Sequence, residues 1–79
     1  MNMKVTVEIS RVLAAIRPGL AERVELDLPE GATVGDALAA AGLVQGLWGI
    51  VVVGGKVADV STKLSPGDKV AVFPPVSGG

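Results

Sequence analysis

A chain with no cysteine and no histidine lacks the usual nucleophiles, proton shuttles and soft metal ligands. Its carboxylates, Glu8, Glu22, Glu25, Asp27, Glu30, Asp36, Asp59 and Asp68, are scattered along the sequence. Glu25 and Asp27 lie two apart on a predicted strand and share a face, which is more simply a solvated face than an acid–base pair. Gly54-Gly55 joins two apolar runs rather than a strand and a helix, and no Gly-Lys-Ser/Thr follows, so there is no phosphate loop. No metal site or side-chain catalytic centre is expected. The unusual group is at the end of Phe73-Pro74-Pro75-Val76-Ser77-Gly78-Gly79, where the carboxylate of Gly79 would do the chemistry.

That ending has a physical logic. Each proline fixes φ and removes a backbone donor, so a sheet strand running through Val72 cannot continue past Pro74. The pair Pro74-Pro75 favours a stiff, polyproline-like exit, and Val76, Ser77, Gly78 and Gly79 then reach outward by up to ~3.3–3.6 Å per residue. Without Cβ atoms, Gly78 and Gly79 can enter a channel too narrow for a side chain. The expectation is a folded domain over residues 1–73 and an extended, flexible tail over 74–79. Phe73, Pro74, Pro75, Val76, Ser77 and Gly78 then meet a partner. A frayed glycine-rich end is the plain alternative, but Phe-Pro-Pro ahead of the glycines is motif-like.

The elements that would carry the tail can be read from periodicity. Residues 3–10 alternate, with Met3, Val5, Val7 and Ile9 on one face, which predicts a half-buried first strand. Residues 11–21 predict a loop with about one helical turn, because Pro18-Gly19 would end any face formed by Val12, Leu13 and Ile16. Alternation returns over 22–28 with Val24, Leu26 and Leu28 inward, suggesting an antiparallel pair. Thr33 is the predicted N-cap of a short helix over 34–41, Asp36 supplies its acidic first turn, and Gly42 ends it. Ile50-Val51-Val52-Val53 reads as a central strand, and Gly54-Gly55 as a two-residue hairpin into Lys56-Val57-Ala58. Turns follow at 61–64 and at Pro66-Gly67-Asp68, before a last strand over 69–73. The predicted core is Val5, Val7, Ile9, Val24, Leu26, Val34, Leu38, Val70 and Val72. The fold class is α+β, a mixed sheet of four to five strands with one main helix on one face.

The final motif, Leu64-Ser65-Pro66-Gly67-Asp68-Lys69-Val70 followed by Phe-Pro-Pro-Val-Ser-Gly-Gly, resembles the ubiquitin-like sulfur carriers of the MoaD/ThiS type. It is most similar to the MoaD branch, the small subunits of molybdopterin synthase. Leu28-Pro29-Glu30-Gly31-Ala32-Thr33-Val34-Gly35-Asp36-Ala37-Leu38 matches the start of that family's helix, so the resemblance covers nearly the whole chain. It departs just after the first strand, where many relatives carry an aromatic and a Leu-Arg-Glu-like stretch and this chain has Ile9-Ser10-Arg11-Val12-Leu13. The resemblance implies a β-grasp fold with the last strand parallel to the first. It also implies an E1-like enzyme that uses ATP to adenylate Gly79 before the acyl-adenylate becomes a thiocarboxylate. Sulfur would then pass to a precursor held by a MoaE-like large subunit or another acceptor enzyme. The carrier itself would bind no cofactor.

Parity places Phe73 opposite Val70 and Val72, on the open face with Ala71 and part of the Ile50–Val53 run, as an apolar patch of the kind partners use. Trp48 has a plain reading, as a cover for one end of the core, and a sharper one, as part of a partner surface, and the plain one is favoured. Seven basic and eight acidic residues give a net charge of −1, a poor footing for nucleic acid. No leader-like segment and no long apolar run is evident, so a cytoplasmic protein is expected. Three functional classes fit: a sulfur carrier for molybdopterin or for the thiazole of thiamine, a protein modifier that acylates lysine through the same glycine, and a passive binding module. Pro74-Pro75 and the length of residues 11–21 favour the molybdopterin branch of the first.

Overall fold

Strand pairing in the computed structural model is organised around the first and last strands. The structure describes residues 2–16, 19, 21–43 and 48–75. In chain order the elements are β1 (Asn2–Ile9), α1 (Arg11–Ile16), β2 (Arg23–Pro29), α2 (Val34–Ala40), β3 (Ile50–Val53), β4 (Lys56–Ala58) and β5 (Lys69–Phe73). They form one mixed sheet in the order β2-β1-β5-β3-β4. β1 runs antiparallel to β2 and parallel to β5, with Val7 opposite Val70 and Ile9 opposite Val72. β5 in turn pairs antiparallel with β3. This is the β-grasp arrangement, with α2 lying across β1 and β2.

The period-two pattern of β1 buries Met3, Val5, Val7 and Ile9, and that of β5 buries Val70 and Val72. No polar or charged side chain is buried among the described residues. Val24 and Leu26 depart from the expected core and are only half-buried, although Leu26 still packs against it. The reason is topological, since β2 is one of the two border strands and has a neighbour on one side only. The Ile50–Val53 strand is interior as predicted, but only Val51 is buried in it. Its hairpin partner β4 has three residues, and the other face of the sheet has no helix over it among the described elements.

Both ends of α2 are closed. The Thr33 hydroxyl accepts from the Asp36 N–H at 3.3 Å while the Asp36 carboxylate accepts from the Thr33 N–H at 2.9 Å, a full capping box. At the other end Gly42, at φ +85°, donates to the Ala39 carbonyl at 3.1 Å, and Leu43 donates to the Leu38 carbonyl at 2.9 Å. That is a Schellman closure, and it carries Leu43 back into the core. Seven residues make a marginal helix alone, so α2 depends on these caps and on burying Val34, Ala37 and Leu38.

Where the sequence predicts a loop with about one helical turn, Arg11–Ile16 form the short helix α1. Ser10 caps α1 through its hydroxyl, which accepts from the Val12 N–H at 3.3 Å, and Ala14 donates to the Ser10 carbonyl at 2.9 Å. Leu13 is fully buried, whereas Val12 points outward at 59% exposed. Leu13, with the half-buried Ala14 beside it, packs this helix against the core.

Leu38→Ala is expected to destabilise the domain by ~2–5 kcal/mol, a large share of the ~5–15 kcal/mol typical of a native protein. Loss of α2's closure by Thr33→Ala should cost about 1 kcal/mol. Thermal or denaturant melts check both, and an unchanged midpoint for Leu38→Ala would contradict its placement in the core.

Candidate functional site

The site is the end of β5 and the surface around it. β5 is held on both sides up to its last residue. The Ser10 N–H donates to the Val72 carbonyl at 2.9 Å from the β1 side, and the Gly49 N–H donates to the Phe73 carbonyl at 2.8 Å from the β3 side. Pro74 and Pro75 follow, half-buried and exposed respectively, and neither has an N–H to extend the ladder. The chain therefore leaves the sheet at a defined point. Val76, Ser77, Gly78 and Gly79, which the sequence marks as the partner-binding tail and its working carboxylate, lie outside the described residues.

Strand parity decides what surrounds that exit. Val70 and Val72 are fully buried, which turns Lys69, Ala71 and Phe73 to the open face. Phe73 is 43% exposed and sits opposite Ile50, itself 40% exposed. Ala71 is opposite Val52, and Val52 is opposite Val57, the most exposed of the large apolar residues. Together these form the apolar patch that the sequence anticipates. On the other half of the same face, β1 and β2 present Lys4, Thr6, Glu8, Arg23, Glu25 and Asp27. The open face is thus split, apolar beside the tail and charged away from it.

Other places offer less chemistry. Among the described residues no group of three or more His, Cys, Asp or Glu side chains comes together to hold a metal ion. Glu25 and Asp27 share the solvated face of β2 and are exposed. The first-turn N–H groups of α2 are occupied, Val34 donating to the Thr62 carbonyl and Gly35 to the Val60 carbonyl, both at 2.9 Å, so no anion cradle is open there. Trp48 is half-buried and packs against the core, as its plain reading had it. With Leu38, Leu43 and Val60 it lines a cleft of about 510 Å³ beside α2, on the side away from the tail's apolar patch. Among the described residues no helix is long and apolar enough to cross a membrane.

Sequence reasoning missed one residue of the site, Gly49, whose N–H makes the last ladder bond before the prolines. A glycine directly ahead of a β-branched strand is the signal that could have found it.

Among solved structures the chain is similar to small archaeal modifier protein 1 of Haloferax volcanii. That match has a TM-score of 0.74 and 26% identity, covering 94% of this chain and 99% of that one. A protein of Pyrococcus furiosus designated a candidate molybdopterin converting factor subunit 1 matches with a TM-score of 0.67 and 28% identity, covering 94% and 99%. The ubiquitin of Caldiarchaeum subterraneum shares the fold at 19% identity, with a TM-score of 0.62 and full coverage of both chains. No curated protein sequence matches. The ThiS family model matches residues 11–79, from the start of α1 through the terminal Gly-Gly. On that match, together with a β-grasp sheet that ends at Phe73-Pro74-Pro75, the chain belongs to the ThiS family.

Proposed function

We propose that this protein is a sulfur carrier whose Gly79 carboxylate is adenylated and then converted to a thiocarboxylate, and that it serves as the small subunit of a molybdopterin synthase. As a ThiS-family member it is a carrier and not itself a catalyst. The observation that carries the reading is the exit of β5: a strand bonded on both sides to its last residue, then two prolines, then a main chain ending in Gly78-Gly79. The likeness to the Pyrococcus furiosus protein supports the molybdopterin branch.

The chemistry follows from the weakness of a carboxylate as an electrophile, since its charge is delocalised over two oxygens. ATP supplies the adenylyl group, pyrophosphate leaves, and the acyl–AMP mixed anhydride has a good leaving group. A sulfur nucleophile delivered by a donor then attacks the carbonyl carbon and AMP departs, leaving sulfur in place of one oxygen. ATP is the activating enzyme's substrate, and the carrier holds no cofactor of its own. Its partners are an E1-like adenylating enzyme and a MoaE-like large subunit or another sulfur acceptor. A second reading, a protein modifier acylating a lysine amine, draws on the likeness to small archaeal modifier protein 1.

Incubated with ATP, an activating enzyme and a sulfur donor, the protein is expected to exchange one oxygen for one sulfur, located by fragmentation at Gly79. Gly78→Val should block the exchange without lowering the melting midpoint. A residue added after Gly79 should do the same, because it moves the carboxylate by up to ~3.3–3.6 Å. An unmodified terminus with competent partners sinks the carrier reading, and an isopeptide bond to a target lysine installs the modifier reading in its place.

Phe73→Ala should weaken binding to the activating enzyme or large subunit by more than ~1 kcal/mol with little change in the melt. Titration calorimetry alongside a thermal melt separates this from a structural role, which would show the opposite pattern.

A further inference from the structure

Where the tail leaves the sheet, it passes over a residue that has no side chain. A Cβ built on Gly49 would stand 2.5 Å from the Pro75 Cα, 2.9 Å from the Pro75 nitrogen and 3.0 Å from the Pro74 carbonyl oxygen. All three are backbone atoms, so no flexible side chain can swing aside. Gly49 is not among the glycines with positive φ, so turn geometry does not demand glycine here. The close approach of Pro74-Pro75 does.

We infer that Gly49 is a positioning residue, a seat on which Pro74-Pro75 rest and which sets the direction in which the tail leaves the domain. The inference rests on the reading of the tail as the segment that carries the reacting group. Prolines have no N–H with which to join a ladder, and the Gly49 bond to the Phe73 carbonyl at 2.8 Å and the close packing on Gly49 itself hold the base of the pair. Beyond them, residues without a β-carbon at 78 and 79 cannot restore a direction that the root has lost. A methyl at position 49 would push the Pro75 Cα from 2.5 Å toward the ~3.5 Å of an ordinary carbon contact, a shift of ~1 Å at the base of the tail. Displacements of that size at a reacting group can cost on the order of 10²-fold in rate.

The test uses the full chain in three variants, Gly49→Ala, Pro75→Gly and the double substitution, with melts, amide shifts of Val76, Ser77 and Gly78, and kcat and KM for adenylation by a purified activating enzyme. Gly49→Ala is expected to move the tail amide shifts and to lower kcat/KM by about ten- to hundredfold. In the Pro75→Gly background the same substitution should cost several-fold less, because a freed backbone can step around the methyl. An equal loss in both backgrounds, or unmoved tail shifts with unchanged adenylation in a folded Gly49→Ala protein, overturns the inference. If Gly49→Ala does not fold, the unsubstituted chain decides: a strong proton–proton Overhauser contact between the α-hydrogens of Gly49 and Pro75 supports the seat, and its absence refutes it. If the unsubstituted chain is not adenylated at all, the carrier reading fails, while the shifts and the Overhauser contact still decide the seat.

Discussion

The parallel pairing of β5 on β1 is the constraint on which the rest depends. It sets the last strand of the chain between the first and the third, with Val70 and Val72 fully buried and Val7 and Ile9 as their partners across the ladder. Strand side chains alternate strictly, so a slip of one residue would turn Val70 and Val72 to water and drive Lys69, Ala71 and Phe73 into the core. Burying Lys69 without a partner would be costly, and that penalty holds the register. The same register fixes where the ladder stops. The point at which the chain leaves the domain is therefore as well defined as the core, although it lies on the surface.

That register also explains an apparent extravagance. A chain of this size has two aromatic residues, and one of them, Phe73, is left 43% exposed. Complete burial of such a side chain stabilises by ~1.5–3 kcal/mol, which a small domain does not readily forgo. Phe73 and Ile50 shield each other across the β3–β5 pair, and Ala71, Val52 and Val57 continue the patch toward β4. Charged residues occupy the remainder of the face, on β1 and β2, which confines the apolar area to the half adjoining the tail. A partner that docks on the patch thus finds the root of the tail at its border.

Much of this was legible because the patterns are local. Alternation marked β1 and β5, Thr33 and Asp36 marked the start of α2, Gly42 its end, and Gly54-Gly55 the hairpin. The parity of Phe73 followed from β5 alone. What was not legible depended on neighbours distant in sequence. Val24 and Leu26 alternate as well as any core strand, but nothing in residues 22–28 says that β2 lies at the border. α1 is packed on the core through the adjacent Leu13 and Ala14 while Val12 points outward, which leaves little helical periodicity to detect. The parallel partner of β5 came from family resemblance, since pairing between chain ends leaves no local trace. Gly49 stands directly ahead of a β-branched strand, but its need to be glycine is set by Pro74 and Pro75, some twenty-five residues on.

On the sulfur-carrier reading, the geometry also limits the partner. From Pro75 to the Gly79 carboxylate there are four residues, which span at most ~13–14 Å even when fully extended. An activating enzyme that grips the Phe73 patch must therefore hold its nucleotide within that distance of the point where Pro75 emerges, and an acceptor enzyme must place its precursor within the same radius. Since Gly78 and Gly79 present only main chain, neither enzyme can recognise the terminus by side chains. Discrimination has to come from the patch, from the residues ahead of the two glycines and from the direction of exit. A sulfur carrier and a protein modifier can consequently share one domain and one ending. Which bond the acyl group finally makes depends on whether a sulfur nucleophile or a lysine amine waits at the end of that reach.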